Sequence, residues 1–336
     1  MRVAAVLVAL PLLIGLIALA LAFDFLNGLH DAANAIATVV ATRLLSPVMA
    51  VVFAAVGNFA AYWFVGLHVA ETVGKGIIDK DAVTPAVVFG ALVGAMFWNV
   101  VTWLKGIPSS SSHALIGGLL GAGMAHGGFA VVEGSGTTKT VVAIVASPMI
   151  GFAIAMLLML VTSWLFQGVS SRGSNRTFKS LHLLSSAAYS ISHGGNDAQK
   201  TMGIIAVLLY STGHLTGDFH VPEWVVLSCY TAIALGTLSG GWKIIKTMGT
   251  RLTKLTHHSG FCASTAGSFV VFGASAMGIP VSTTHAITGS VVGTGAARRA
   301  SAVRWSVASR VIVAWVITIP ASAAVGALFY MLTRLF

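Results

Sequence analysis

The sequence predicts an all-α integral membrane protein, an inverted-topology repeat of two five-span halves with broken helices and re-entrant hairpins. Three observations predict it. The chain is 56% hydrophobic and 8% charged, against about a quarter charged in soluble domains, and its mean hydropathy is +0.90. Apolar runs of about 17 to 25 residues, the length that crosses a hydrocarbon core, recur from Val3 to Phe336. A motif beginning at Pro108 returns at Pro280 with the same glycine spacing behind it.

In chain order, the first half is expected to span over about 3–44 (long, and broken near its middle), 47–68, 86–105, 108–126 and 141–166. The second half follows with about 181–210, 224–241, 259–277, 280–297 and 305–335. Residues 1–167 and 181–336 are then two transmembrane repeats, joined by a short cytoplasmic linker over 168–180. Arg2 ahead of an apolar stretch also fits a cleaved signal peptide over 1–22. The topology needs that stretch as a span, and it runs unbroken into the first polar motif.

Charge orients the spans. Basic residues gather at Arg172, Arg176 and Lys179, at Lys243, Lys246, Arg251 and Lys254, and at Arg298, Arg299 and Arg304. Lys and Arg are retained on the cytoplasmic side, so these loops face inward and the acid-bearing loops near 69–85, 126–140 and 211–223 face outward. Both termini then lie outside a plasma (bacterial inner) membrane that the chain crosses many times. An odd number of crossings per half makes the second half enter in the opposite sense. The net charge of +10 is accounted for by the inner loops and gives no reason to expect nucleic acid. Cys229 and Cys262 lie far apart in apolar segments and suggest neither a disulfide framework nor redox chemistry.

Three acidic residues, Asp24, Asp31 and Asp197, interrupt apolar segments, where each carboxylate costs roughly 2.5 to 3.5 kcal/mol to insert near the centre. Asn27-Gly28-Leu29-His30-Asp31-Ala32 matches His193-Gly194-Gly195-Asn196-Asp197-Ala198 weakly. Pro108-Ser109-Ser110-Ser111-Ser112-His113-Ala114 matches Pro280-Val281-Ser282-Thr283-Thr284-His285-Ala286 strongly, with Gly117, Gly121 and Gly123 answered by Gly289, Gly293 and Gly295. The order of the two motifs is the same in each half.

Proline followed by Ser or Thr and then an apolar run is a helix start, whose free N–H groups and hydroxyls bind anions. Two such ends meeting from opposite sides of a membrane would cradle a tetrahedral oxyanion with neutral donors from Ser110, Ser111, Ser112, Ser282, Thr283 and Thr284. A carboxylate repels that anion unless a cation stands between them. Asp31 with Asn34, and Asp197 with Asn196, supply oxygens for a hard cation such as sodium, and the glycines beside them permit an unwound backbone whose carbonyls complete the site. Asn27, His30, Gln199, Lys200, His113 and His285 are candidate supporting residues.

Plainer roles stand beside these. A serine run is commonly a linker. His113 and His285 are expected as buried braces rather than a proton relay, and Lys200 as either an ion-pair partner of Asp197 or an anion contact. Asp24 is expected to cap an unwound turn or to join the site. Asn58, Asn99 and Lys105 suit interhelical hydrogen bonding or snorkelling.

The chain resembles the PiT family of inorganic phosphate transporters in five segments: Asn27 to Ser46, Pro108 to Gly118, Ser192 to Ile205, Gly240 to Gly249 and Pro280 to Gly293. The resemblance implies re-entrant hairpins, a homodimer in the lipid bilayer, no cofactor, and phosphate uptake by alternating access with sodium or protons. It implies phosphate contacts at Ser110, Ser111, Thr283 and Thr284, and cation ligation around Asp31, Asn34, Asn196 and Asp197. The pair His30-Asp31 departs from the Asn-Asp of many relatives, and the long central cytoplasmic domain of some relatives is missing here.

Alternatives stay open at this level. Sulfate or another oxyanion fits hydroxyl and N–H donors equally, and a metal–phosphate complex is a further form of the substrate. An intramembrane hydrolase using Asp31 and Asp197, or Ser275 and His285, is disfavoured because catalysis needs one asymmetric constellation rather than two matching half-sites. A passive channel is disfavoured by the buried carboxylates.

Overall fold

The computed structural model describes residues 10–215 and 217–335, apart from the Lys75 side chain. Residues 1–9 of the expected signal peptide, and with them the start of the expected first span, lie outside the described residues. Among the described residues the structure is helical except for loops and one isolated bridge between Ile78 and Val132. Twelve α-helices follow one another: α1 (Leu10–Ala41), α2 (Pro47–Phe64), α3 (His68–Lys75), α4 (Pro85–Lys105), α5 (Ser111–Gly127), α6 (Gly134–Leu165), α7 (Ser171–Ser211), α8 (Glu223–Ser239), α9 (Trp242–Lys246), α10 (His257–Ala276), α11 (Thr283–Arg298) and α12 (Trp305–Leu332).

Five of these, α1, α2, α4, α6 and α12, are long and apolar enough to cross a membrane, and α8 with the segment Trp242–Arg251 forms a sixth candidate bent by 64°. Bulky apolar side chains such as Trp63, Phe64, Leu157, Trp164, Phe269 and Val316 are exposed, while the polar side chains of Asp24, Asp31, Asp197, Asn58 and Asn99 are buried. An apolar exterior with these polar groups kept inside suits lipid on the outside.

Two helices differ from their expected form. α1 was expected to break near its middle, yet it is one continuous helix of 32 residues. α7 is likewise continuous over 41 residues and begins inside the expected linker, so the turn between the halves is only 166–170. The reason lies in what the glycines do. A Cβ on Gly28 would stand 2.2 Å from Ile233 O of α8, and one on Gly194 would stand 2.5 Å from Asn58 O of α2. These glycines let backbones touch, and the helical hydrogen bonds run through them unbroken.

Packing repeats between the halves. α1 lies on α8 as α7 lies on α2, α5 lies between α4 and α12 as α11 lies between α10 and α6. The glycines read as a sequence repeat make the second of these contacts: Gly117 and Gly121 close on Ile319 and Ala323 of α12, Gly289 and Gly293 on Pro148 and Phe152 of α6.

The basic loops come together at one end, where Arg298 donates to Lys254 O and Lys243 to Leu104 O. The acid-bearing loops 77–85 and 126–133 join at the other end of α4 through Asp79 N to Val131 O and Glu133 N to Ile77 O. From the interior, α5 runs toward the acidic end and α11 toward the basic end.

Candidate functional site

The two Pro-Ser motifs start their helices in the same way. The prolines stand two residues ahead of the cap instead of inside the first turn, and the caps Ser110 and Ser282 are themselves extended. Ser110 caps α5 by accepting from His113 N at 3.2 Å, and Ser282 caps α11 by accepting from His285 N at 3.2 Å. Both hydroxyls are therefore engaged in capping, which stabilises each helix start by about 1 kcal/mol.

The helix starts meet. The His113 and His285 rings pack edge to face with centroids 4.4 Å apart, and Ser112 Oγ donates to Val281 O at 3.3 Å. Trp315 of α12 stacks on His285 at 3.7 Å and donates to Pro108 O at 3.2 Å. That arrangement packs the two rings together, although neither ring nitrogen of His113 or His285 makes a hydrogen bond. It also brings the first-turn N–H groups of two helices, which have no partner within their own helix, to one buried place.

The carboxylates close against these ends. Asp31 Oδ2 accepts from Ser111 at 2.9 Å and Asp31 Oδ1 from Thr284 at 3.4 Å. Thr283 donates to Asp197 Oδ2 at 3.0 Å, and Ser111 also donates to Asn27 Oδ1 at 2.6 Å. Asn34 Nδ2 reaches across the repeat to Thr284 Oγ1 at 2.9 Å and Thr283 Oγ1 at 3.4 Å. Every one of these side chains is buried, with at most 2% exposure, so the cluster is sealed from solvent.

Each supporting residue then finds its place. Lys200 Nζ donates to Asp197 Oδ1 at 2.5 Å, to Val281 O at 2.9 Å and to Ser112. His30 Nδ1 lies 2.7 Å from Asp31 Oδ1, with Nε2 3.1 Å from Thr102 Oγ1. Gln199 turns away, accepting from Val69 N and Ala70 N at the start of α3 and donating to Gly66 O at 2.7 Å. Its work is structural.

A cation has ligands available. Asp31, His193 and Asp197 each offer an atom within 4.8 Å of the others'. The amide oxygens of Asn34 and Asn196 are buried without a hydrogen-bond donor, and acceptors left in that state favour a positive ion. Backbone carbonyls of α1 and α7 do not join them, because both helices are unbroken there. Ser275, considered above as a nucleophile, holds Asn196 Nδ2 at 2.8 Å.

The profile of the Phosphate transporter family matches residues 27–326. The chain belongs to this family. A probable low-affinity inorganic phosphate transporter of Rhizobium meliloti is 61% identical over 96% of both chains. One of Bacillus subtilis is 42% identical over 98% of this chain and 99% of its own. A solved structure described as the sodium-dependent phosphate transporter superposes with a TM-score of 0.89 at 25% identity, covering 97% of this chain and all of that one. This member of the family is thus a multi-pass phosphate transporter, and its relatives are transporters rather than enzymes.

Two residues that touch this cluster were not among the candidates read from the sequence. His193, 3.2 Å from Asp197 Oδ2, stands one helical turn before it, a spacing that places both on one face. Tyr189, a further turn back, donates to Thr283 O at 2.9 Å. Periodicity along α7 carried both signals.

Proposed function

We propose that the chain is a secondary active transporter that imports inorganic phosphate with a coupling cation, sodium or a proton, by alternating access. One observation carries the reading: the starts of α5 and α11 converge on two buried carboxylates, with anion donors and cation acceptors interleaved. The hydroxyls of Ser111, Thr283 and Thr284 are the donors a phosphate needs, and they are the same hydroxyls that Asp31 and Asp197 hold. A cation on Asp31, Asp197 and the amide oxygens of Asn34 and Asn196 cancels the carboxylate charge. The hydroxyls and first-turn N–H groups are then released to the anion, as helix N-termini favour. Phosphate and cation therefore bind better together than apart, which is symport stated as a coupling free energy.

The repeated packing of α1 on α8 and α7 on α2, with α5 and α11 pointing to opposite ends, supports an inverted repeat of two halves that rock about the shared site. Basic loops gathered at one end support the cytoplasm on that side of a plasma membrane, with both chain ends outside. The sodium dependence stated for the solved relative makes sodium the first ion to test.

The test is radiolabelled phosphate uptake into proteoliposomes with sodium and proton gradients imposed separately. Accumulation above the external concentration under one of them is expected, and excess sulfate is expected to compete weakly. Uptake that only equilibrates means a passive route. Equal competition by sulfate means a general oxyanion carrier.

A further inference from the structure

Asp24 is the third carboxylate inside the helix bundle, and the site described above does not use it. It lies on α1 seven residues before Asp31, about two turns away. Its side chain is fully buried, and neither oxygen makes a hydrogen bond. The hydroxyl of Thr201 on α7 and the side chain of Asn27 are polar groups that act on it. Thr201 Oγ1 also makes no hydrogen bond, nor does the buried hydroxyl of Tyr230 on α8. The charged and titratable groups that act on Asp24 are Asp197 and Lys200 from α7 and Cys229 and Tyr230 from α8.

A bare carboxylate in this setting is too costly to persist alone, so a positive ion accompanies it. A hard metal ion takes about six oxygens. The carbonyls of α1 are committed to its helical ladder, so the oxygens at hand fall short of that number. A proton needs one carboxylate oxygen and one acceptor, and Thr201 Oγ1 is an acceptor with nothing else to bond. Asn27, one turn from Asp24, accepts from Ser111 in the first turn of α5 at 2.6 Å, which ties this acid to the anion donors. Thr201 follows Lys200 directly and ties it to the Asp197 half.

We propose that Asp24 and Thr201 form a proton site, distinct from the Asp31–Asp197 cluster, that is loaded on one side of the membrane and emptied on the other in each transport cycle. The Asp24 carboxylate takes up one proton, the resulting O–H donates to Thr201 Oγ1, and the same proton leaves to water after the bundle opens to the other side. The proposal rests on the transporter reading above, and its test separates the two.

The full chain is reconstituted, and net uptake of radiolabelled phosphate under an inside-alkaline pH gradient is compared with phosphate–phosphate exchange at equal pH. Wild type is expected to do both. Asp24→Asn is expected to lose the gradient-driven accumulation and keep exchange, because exchange needs no proton to leave, and Asp24→Glu is expected to recover the response. Accumulation by Asp24→Asn at the wild-type level overturns the proposal, as does equal loss of exchange and accumulation in a folded variant, the mark of a structural role. Should Asp24→Asn fail to fold, Thr201→Val decides, and an unchanged response to the gradient counts against the site. Wild-type uptake driven by sodium and indifferent to pH overturns the proton site while leaving phosphate transport standing. Absence of any phosphate uptake refutes the earlier reading instead.

Discussion

On α1, Asp31 is held by Ser111, Thr284 and His30, whereas on α7, Asp197 is held by Thr283, His193 and Lys200. Counted from each aspartate, the positions correspond: Gly28 with Gly194, His30 with Asn196, and Asn34 with Lys200. The glycines do the same job in both halves, touching the backbone of α8 and of α2. The residue three places beyond the aspartate does not. Asn34 leaves an amide oxygen without a donor, while Lys200 places an ammonium on Asp197. A repeated frame of backbone contacts thus carries different side chains: an ammonium stands on Asp197 and none on Asp31, while an amide oxygen without a donor stands beside each, on Asn196 and on Asn34.

Asp31→Asn tests the difference between the halves most directly. If Asp31 holds the mobile ion, uptake should fall on the order of 100-fold, the equivalent of losing a buried charge pair of about 3 kcal/mol. Initial rates over a range of cation concentrations check this, and retention of normal cation-dependent uptake by Asp31→Asn together with Asp197→Asn would refute the coupling.

Lys200→Met addresses the other half. It leaves Asp197 buried with its ammonium removed and is expected to cost about 3 to 5 kcal/mol of stability, seen as a lowered Tm in detergent. Adding Asp197→Asn should return most of the loss. Lys200→Asn copies the chemistry of the first half, and its Tm should rise with added sodium more than that of wild type. An unchanged Tm in Lys200→Met would mean that the two halves do not differ as described.

The smallest effect concerns the shared frame. Gly28→Ala and Gly194→Ala should each destabilise by about 1 to 3 kcal/mol through overpacking against backbone. Gly134→Ala, where nothing lies within 4 Å of an added Cβ, should change stability by less than about 0.5 kcal/mol. Thermal unfolding of the three variants side by side measures this, and equal Tm values would remove the close-contact role.

The helix starts at Ser110 and Ser282 were legible because capping is local: a side-chain oxygen bonds an N–H three residues on. Legible too was the burial of Asp31 and Asp197, since an ionisable group inside an apolar run is too costly to face lipid. A further repeat passed unread, Pro148 and Pro320 at the same offset as Pro108 and Pro280, because a proline inside a long helix resembles a break. The expected unwinding at Gly28 and Gly194 was wrong for a physical reason. Glycine permits both a broken helix and a close helix contact, and the choice depends on a neighbour far away in the chain.

The bilayer as solvent, the duplicated motifs and the residue types that could hold an anion and a cation could all be read along the chain, because hydropathy, caps and buried charge act through composition and short spacings. Packing between helices was needed to show that α5 and α11 meet, that Lys200 reaches Ser112 and Val281 O as well as Asp197, that Gln199 braces α3, and that Asp24 stands without a hydrogen bond. Those outcomes depend on which side chains of distant helices face one another, and no local pattern encodes that.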